Sequence, residues 1–220
     1  NSSPSIRNCV VSQTLSHARR GIWCWTSSPV LDGVVVTGNN EIGIWIGYES
    51  HPLITNSISS YNNGSGIHCT QFSNPTLIDV TSEGNSDGAA GGGFFAGAGC
   101  NATLKRVTIK NNQAGGNGGG GIFIGNSTAF LDSVIIARNT SEAQGGGIRV
   151  SGTSSVTVNR SELSNNSSAI AGGNFFGEPG TGSYFTHCTT YMGEIYLQGH
   201  YELGTVANFD NSILWGSLIH

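Results

Sequence analysis

The carboxylates are the first residues to weigh for chemistry. Asp32, Asp79, Asp132 and Asp210 fall at the third or fourth position of a segment that recurs along the chain. Two such groups flanking a glycosidic bond would supply an acid and a base, and several of them with calcium and a basic residue would abstract a proton. These four are scattered along the sequence rather than gathered. Asp79 and Arg106 occupy one position in successive copies, which points to a structural ion pair. Lys105, Lys110, Arg138 and Glu162 read as charges that solvate a face. Glu49-Ser50-His51 lacks a third partner, and His17, His187, His200 and His220 show no metal-ligand spacing. Asn85-Ser86-Asp87-Gly88 has some character of a calcium loop, but the nonapeptide calcium repeat is missing. No catalytic residue, metal or other cofactor is implied.

The five cysteines, Cys9, Cys24, Cys69, Cys100 and Cys188, are widely spaced and odd in number, so neither a disulfide framework nor a zinc site is expected. Cys9, Cys24, Cys69 and Cys188 are expected to be buried and unpaired, with Cys100 in a turn. A net charge of −4 without a basic cluster excludes an electrostatic footprint for nucleic acid, and no apolar run reaches the length of a membrane span.

The elements that must position these residues follow from self-similarity. With 34 glycines, 10% charged residues and apolar bursts rich in Ile, Val, Phe and Trp, the chain cannot build many amphipathic helices. A ten-residue strand unit recurs at Ser5–Thr14, Val30–Asn39, Leu53–Asn62, Thr76–Asn85, Thr103–Asn112, Phe130–Asn139, Thr157–Asn166, Tyr184–Gly193 and Ala207–Gly216. Its ends first repeat every 23 residues and then every 27. That is a solenoid period, and it predicts an all-β fold, a right-handed parallel β-helix of roughly nine coils in a single domain over residues 1–220. Positions two, five and seven are apolar or small and should face inward. The closing asparagines, Asn39, Asn62, Asn85, Asn112, Asn139 and Asn166, should form a hydrogen-bonded ladder from coil to coil. The chain starts inside a repeat, so a segment of a longer protein is expected.

A second strand opens with glycine, as in Gly43-Ile44-Trp45-Ile46 and Gly147-Ile148-Arg149-Val150. Alternation puts Trp23, Trp45, His68, Phe95, Phe123, Arg149, Phe175 and Tyr196 in one outward column, because a column that holds Arg is not a core column. This stripe is the candidate ligand-binding surface. Glycine-rich loops, such as Gln113–Gly120, separate the two strands in the later coils.

Strand units ending in Asn, followed by a loop and Gly-Gly-Gly-Ile as at Asn139 and Gly145-Gly146-Gly147-Ile148, resemble the right-handed parallel β-helix repeats of secreted bacterial surface proteins and the repeats of polymorphic outer-membrane proteins. Asp210-Asn211-Ser212-Ile213-Leu214-Trp215-Gly216 is similar to a segment common in large, anchored extracellular β-helix proteins. Pectate lyases and polygalacturonases share that fold, but the Asn-Thr-Asp, Asp-Asp, Gly-His-Gly and Arg-Ile-Lys segments of polygalacturonases are missing here. The resemblance implies an extracellular, adhesin-like module at the cell surface or in a filament. Its partner would be itself, end to end or laterally, or another surface protein. The alternative it implies is a protein that binds polysaccharide or degrades it as a lyase or hydrolase.

Overall fold

A computed structural model describes residues 3–13, 20–198 and 206–215. Among these there is no helix. The chain winds through three parallel sheets, each strand pairing with its counterpart one coil away. The first sheet has nine strands, from Ser5–Arg7 through Leu53–Thr55 and Asn101–Lys105 to Val206–Asp210. The second also has nine, from Val10–Ser12 to Ile213–Trp215, and the third has eight, from Ile22–Trp25 to Ile195–Leu197. Among the described residues a small fourth sheet of two-residue strands, Ser86–Asp87, Gln113–Ala114, Thr140–Ser141 and Ser167–Ser168, is confined to the later coils.

The ten-residue unit is two strands rather than one. A left-handed residue divides it at position four: Asn8, Gly33, Asn56, Asp79, Arg106, Ser133, Arg160 and His187 all have φ between 46° and 64°. This bend resets the alternation, which is why positions two and five, three apart, both point inward. Leu31, Ile54, Leu77, Leu104, Leu131 and Val158 stack in register from the first sheet, and Val36, Ile109, Ile136 and Leu163 line the core from the second. The ninth copy begins at Asn208, not Ala207, because Phe209 pairs with Phe185 and Asn211 takes the left-handed bend. Thr14 and Gly216, the ends of the first and last copies, lie outside the described residues.

The asparagine ladder is continuous and buried from Asn39 to Asn166. Asn112 Nδ2 donates to Asn139 Oδ1 at 3.0 Å and to the Ser82 carbonyl at 3.1 Å, while its backbone N–H donates to the same Oδ1. Each amide therefore joins three coils, and the third-sheet glycines are explained by it. A Cβ on Gly93 would lie 2.8 Å from Asn112 Nδ2 and 2.7 Å from the Gly121 carbonyl. At the end of the ladder Gly193 stands where an asparagine is due, and Asn174 takes over, accepting from Asn166 Nδ2 at 2.9 Å. Its side chain fills the space over Gly193, where a Cβ would come within 2.4 Å.

This substitution corrects the outward column. Asn174, not Gly173, is the neighbour of Gly147, so Phe175 pairs with Ile148 and Ile195 and lies in the core. Phe176 takes the outward place between Arg149 and Tyr196.

The cysteines are corrected as well. Cys69 and Cys100 form a disulfide between neighbouring coils, with Cα atoms 6.2 Å apart. Cys100 belongs to an inward turn column of serines that ends in Thr181, in which the backbone N–H of Ser27 donates to Ser50 Oγ and that of Ser50 to Ser73 Oγ, and likewise Ser127 to Ser154. That column borders the end of the strand carrying Cys69. Cys24 and Cys188 are buried free thiols, and Cys9 is free but only half-buried. Burial pushes the Cys24 thiol up to about 12.

Candidate binding site

The outward column exists, but its residues do not share one environment. From His68 onward it is covered. His68, Phe95 and Phe123 stack nearly parallel, at 4.2 and 5.2 Å between rings, and Phe176 stacks on Tyr196 at 5.5 Å. The glycine-rich loops fold back over them. A Cβ on Gly119, whose φ is +69°, would lie 2.6 Å from the Ile122 carbonyl and 2.9 Å from Phe123 Cα; Gly91, Gly145 and Gly172 lie equally close to the strands of Phe95, Arg149 and Phe176. Only glycine lets a backbone approach so closely in this conformation.

Arg149 is held within this covered half. Its guanidinium pairs with Glu178, donates to the Asn117 carbonyl at 2.7 Å and to Gln144 Oε1 at 2.9 Å, and lies 6.0 and 5.7 Å from the ring centres of Phe123 and Phe176. It ties two loops to the column. His68 is half-buried, with its Nδ1 enclosed and lacking a hydrogen-bond partner. Burial pushes its pKa down to about 4, with Asp87 opposing the shift and Arg20 adding to it.

The coil of Trp45 has a shorter loop, and next to it the aromatic surface opens. Trp23 is 55% exposed, whereas Trp45 is only 7% exposed because other aromatics surround it. Trp23 meets Trp45 edge-on at 5.7 Å, and the Arg20 guanidinium lies 4.9 and 4.7 Å from the two rings. Sequence reading misses Trp25, two residues past Trp23 on the same face, where alternation makes it legible. Other coils put Gly47, Gly97 and Gly125 at that place, beneath the rings of Trp45, Phe95 and Phe123. Trp25 instead extends to Tyr48, with ring centres 3.7 Å apart. Phe72 adds a further exposed ring in the turn of the next coil. Tyr48 and Phe72 carry no strand alternation, so nothing in their spacing announces them.

The other candidates are occupied by structural contacts. Asp79 binds Arg106 through both oxygens at 2.7 and 2.8 Å, as the shared position implies, and Asp132 pairs with Arg160 at 2.5 Å. Asp32 accepts from Thr55 and Asn56, which hold its carboxyl below the usual carboxylate range. Lys110 pairs with Glu83. Asp87 is engaged by Ser65 and the Ala89 N–H, and His51 Nδ1 accepts from the Asn74 N–H. Among the described residues no three His, Cys, Asp or Glu come together as a metal site. His17, His200 and His220 lie outside the described residues.

Stacked parallel strands with coil-to-coil ladders define a β-solenoid scaffold. The chain belongs to the right-handed β-helix region family, whose profile matches residues 1–139. No curated protein and no solved structure matches it.

Proposed function

We propose that this chain is a non-catalytic, extracellular β-helix module of a cell-surface or fibre-forming protein, and that its contact face is the open aromatic cluster of the first coils. The observation that carries this reading is the exposure of Trp23, Trp25, Tyr48 and Phe72 on neighbouring coils. Clustered exposed aromatics mark interaction surfaces, since each offers a large apolar area at little cost in side-chain entropy. The covered rings from Phe95 to Tyr196 serve the scaffold instead. Two further features support the reading. The carboxylates Asp79, Asp132 and Glu178 are each tied to an arginine, and Asp32 to Thr55 and Asn56, instead of facing a common substrate. The Cys69–Cys100 disulfide fits an oxidising compartment.

Sedimentation velocity over a concentration series, with and without soluble oligosaccharides, tests the face. Association or a saccharide response in the wild type that Trp23→Ser/Trp25→Ser loses supports it. Identical behaviour of both proteins in every condition removes the contact face and leaves a bare scaffold.

A further inference from the structure

The turn that leads from the third sheet back to the first places two consecutive residues in the left-handed region. They are Tyr48-Glu49 (φ 55° and 58°), Gln71-Phe72 (55° and 58°) and Ala98-Gly99 (50° and 79°). Small residues take this conformation readily, whereas large ones are rare in it. Here the second and third coils put two aromatic rings and two polar groups there. Backbone bonds fix the column, since the Glu49 N–H donates to the Gln71 carbonyl and the Phe72 N–H to the Ala98 carbonyl. The ring of Phe72 spreads over Gly99, where a Cβ would lie 2.5 Å from Phe72 Cδ1, and stays 68% exposed.

Two adjoining clefts result. One of about 380 Å³ is lined by Thr26, Tyr48, Glu49, Gln71 and Phe72. Its neighbour, of about 300 Å³, is lined by Ser3, Thr26, Ser27, Ser28, Tyr48 and Glu49. Thr26, Tyr48 and Glu49 form the ridge that both share. Tyr48 is backed by Trp25, which fixes its plane. Ser3 Oγ accepts from the Ser28 N–H and Ser28 Oγ from the His51 N–H, so each hydroxyl is oriented with its proton left to donate.

Resting on the contact face proposed above, we infer that these twin clefts bind two consecutive units of a neutral polysaccharide. Flat rings offer stacking for the C–H faces of sugar rings, and the hydroxyls, the Gln71 amide and the Glu49 carboxylate match sugar hydroxyl groups. Among the described residues the lining holds one carboxylate and no Lys or Arg, so an acidic polysaccharide would meet a like charge there without a counter-charge. Serine and glutamate are depleted from the cores of protein interfaces, which favours sugar over a protein partner here.

Calorimetric titration with neutral oligosaccharides of glucose, mannose and N-acetylglucosamine, against oligogalacturonate as the anionic control, tests the assignment. Asparagine tolerates left-handed angles, so Tyr48→Asn and Phe72→Asn retain the turn while removing a ring; thermal melts verify the fold. The expected result is binding of a neutral probe, weakened roughly tenfold by either substitution and unchanged by Trp215→Ser in the last coil. Preferential binding of oligogalacturonate overturns the neutral assignment while leaving the contact face. Silence toward every neutral probe overturns the saccharide site, and the sedimentation behaviour of Trp23→Ser/Trp25→Ser then separately decides whether the aromatic face serves a protein contact.

Discussion

The first coils and the later ones carry the same outward column on the same scaffold, yet one half displays its aromatics and the other hides them. The coils differ by four residues: partners in the asparagine ladder are 23 apart between Asn39 and Asn62 and 27 apart between Asn112 and Asn139. In the later coils these residues build the fourth sheet and the glycine-rich loops that close over Phe95, Phe123, Arg149 and Phe176. Among the described residues the coils of Asn39 and Asn62 carry no strand of that sheet, and Trp23, Trp25, Tyr48 and Phe72 are accessible. Where the four extra residues are present a loop backbone lies over the column, whereas Trp45, which has none, is enclosed by Trp23, Trp25 and Tyr48 instead.

The largest effect expected is at the border between the halves. The Cys69–Cys100 disulfide closes a loop of sequence separation 31, and replacing it by Cys69→Ala/Cys100→Ser should lower stability by about 3–4 kcal/mol in denaturant melts. Serine at position 100 suits the neighbouring serine column, so a loss much smaller than this means that the packing of the two coils, not the crosslink, joins the halves. Gly119→Ala attacks the cover itself and should cost about 2–3 kcal/mol, because a Cβ there meets the backbone of the next strand. Increased binding of a hydrophobic dye in the folded variant would register the uncovering of Phe123, and an unchanged dye response would break the proposed link between loop and column.

The ladder, in contrast, runs through both halves. Asn62→Ala and Asn139→Ala should each cost on the order of 1–3 kcal/mol, since each strips a buried amide that accepts two bonds and donates to the next coil. Unequal losses would show that the halves differ inside as well as outside. His68 marks where the cover begins. Between its folded pKa of about 4 and its ordinary value of 6.5, the unfolded chain binds a proton that the folded chain refuses, so stability falls as pH drops through that window. The total is on the order of 3 kcal/mol and should vanish in His68→Phe; a pH profile that this substitution leaves unaltered would place the titration elsewhere. The smallest effect belongs to the exposed Asp79–Arg106 pair, where Arg106→Gln should leave the melting temperature almost unchanged.

Much of the fold was legible because a solenoid repeats its evidence. Period, inward columns and ladder follow from composition at fixed spacing, and the covered family match agrees with them. The misreadings sit where the pattern is replaced by an equivalent. Asn174 does the work of both a strand glycine and a ladder asparagine, which shifts Phe175 into the core and Phe176 outward. The ninth copy, read as Ala207–Gly216, starts one residue later, because Phe209 pairs with Phe185. The disulfide joins two different columns, and spacing within a column cannot reveal that a turn residue points inward beside a strand end. The site was half legible for a similar reason. Trp23 and Trp45 follow from strand alternation, but Tyr48, Glu49, Gln71 and Phe72 depend on left-handed turns whose side-chain directions have no period-two rule.

The crosslink also gives the rod a mechanical character. Pulled by its ends, a solenoid peels coil by coil, because only the hydrogen bonds of the outermost coil carry the load at any moment. Each freed coil of 23 or 27 residues would pay out about 80 or 90 Å of chain. The segment between Cys69 and Cys100 lies behind a covalent bond and is shielded from the force, so one step of roughly 100 Å would be missing from the extension until the bond is reduced. An oxidised rod under tension would thus stop short of full length, its reach set by a single pair of sulfur atoms.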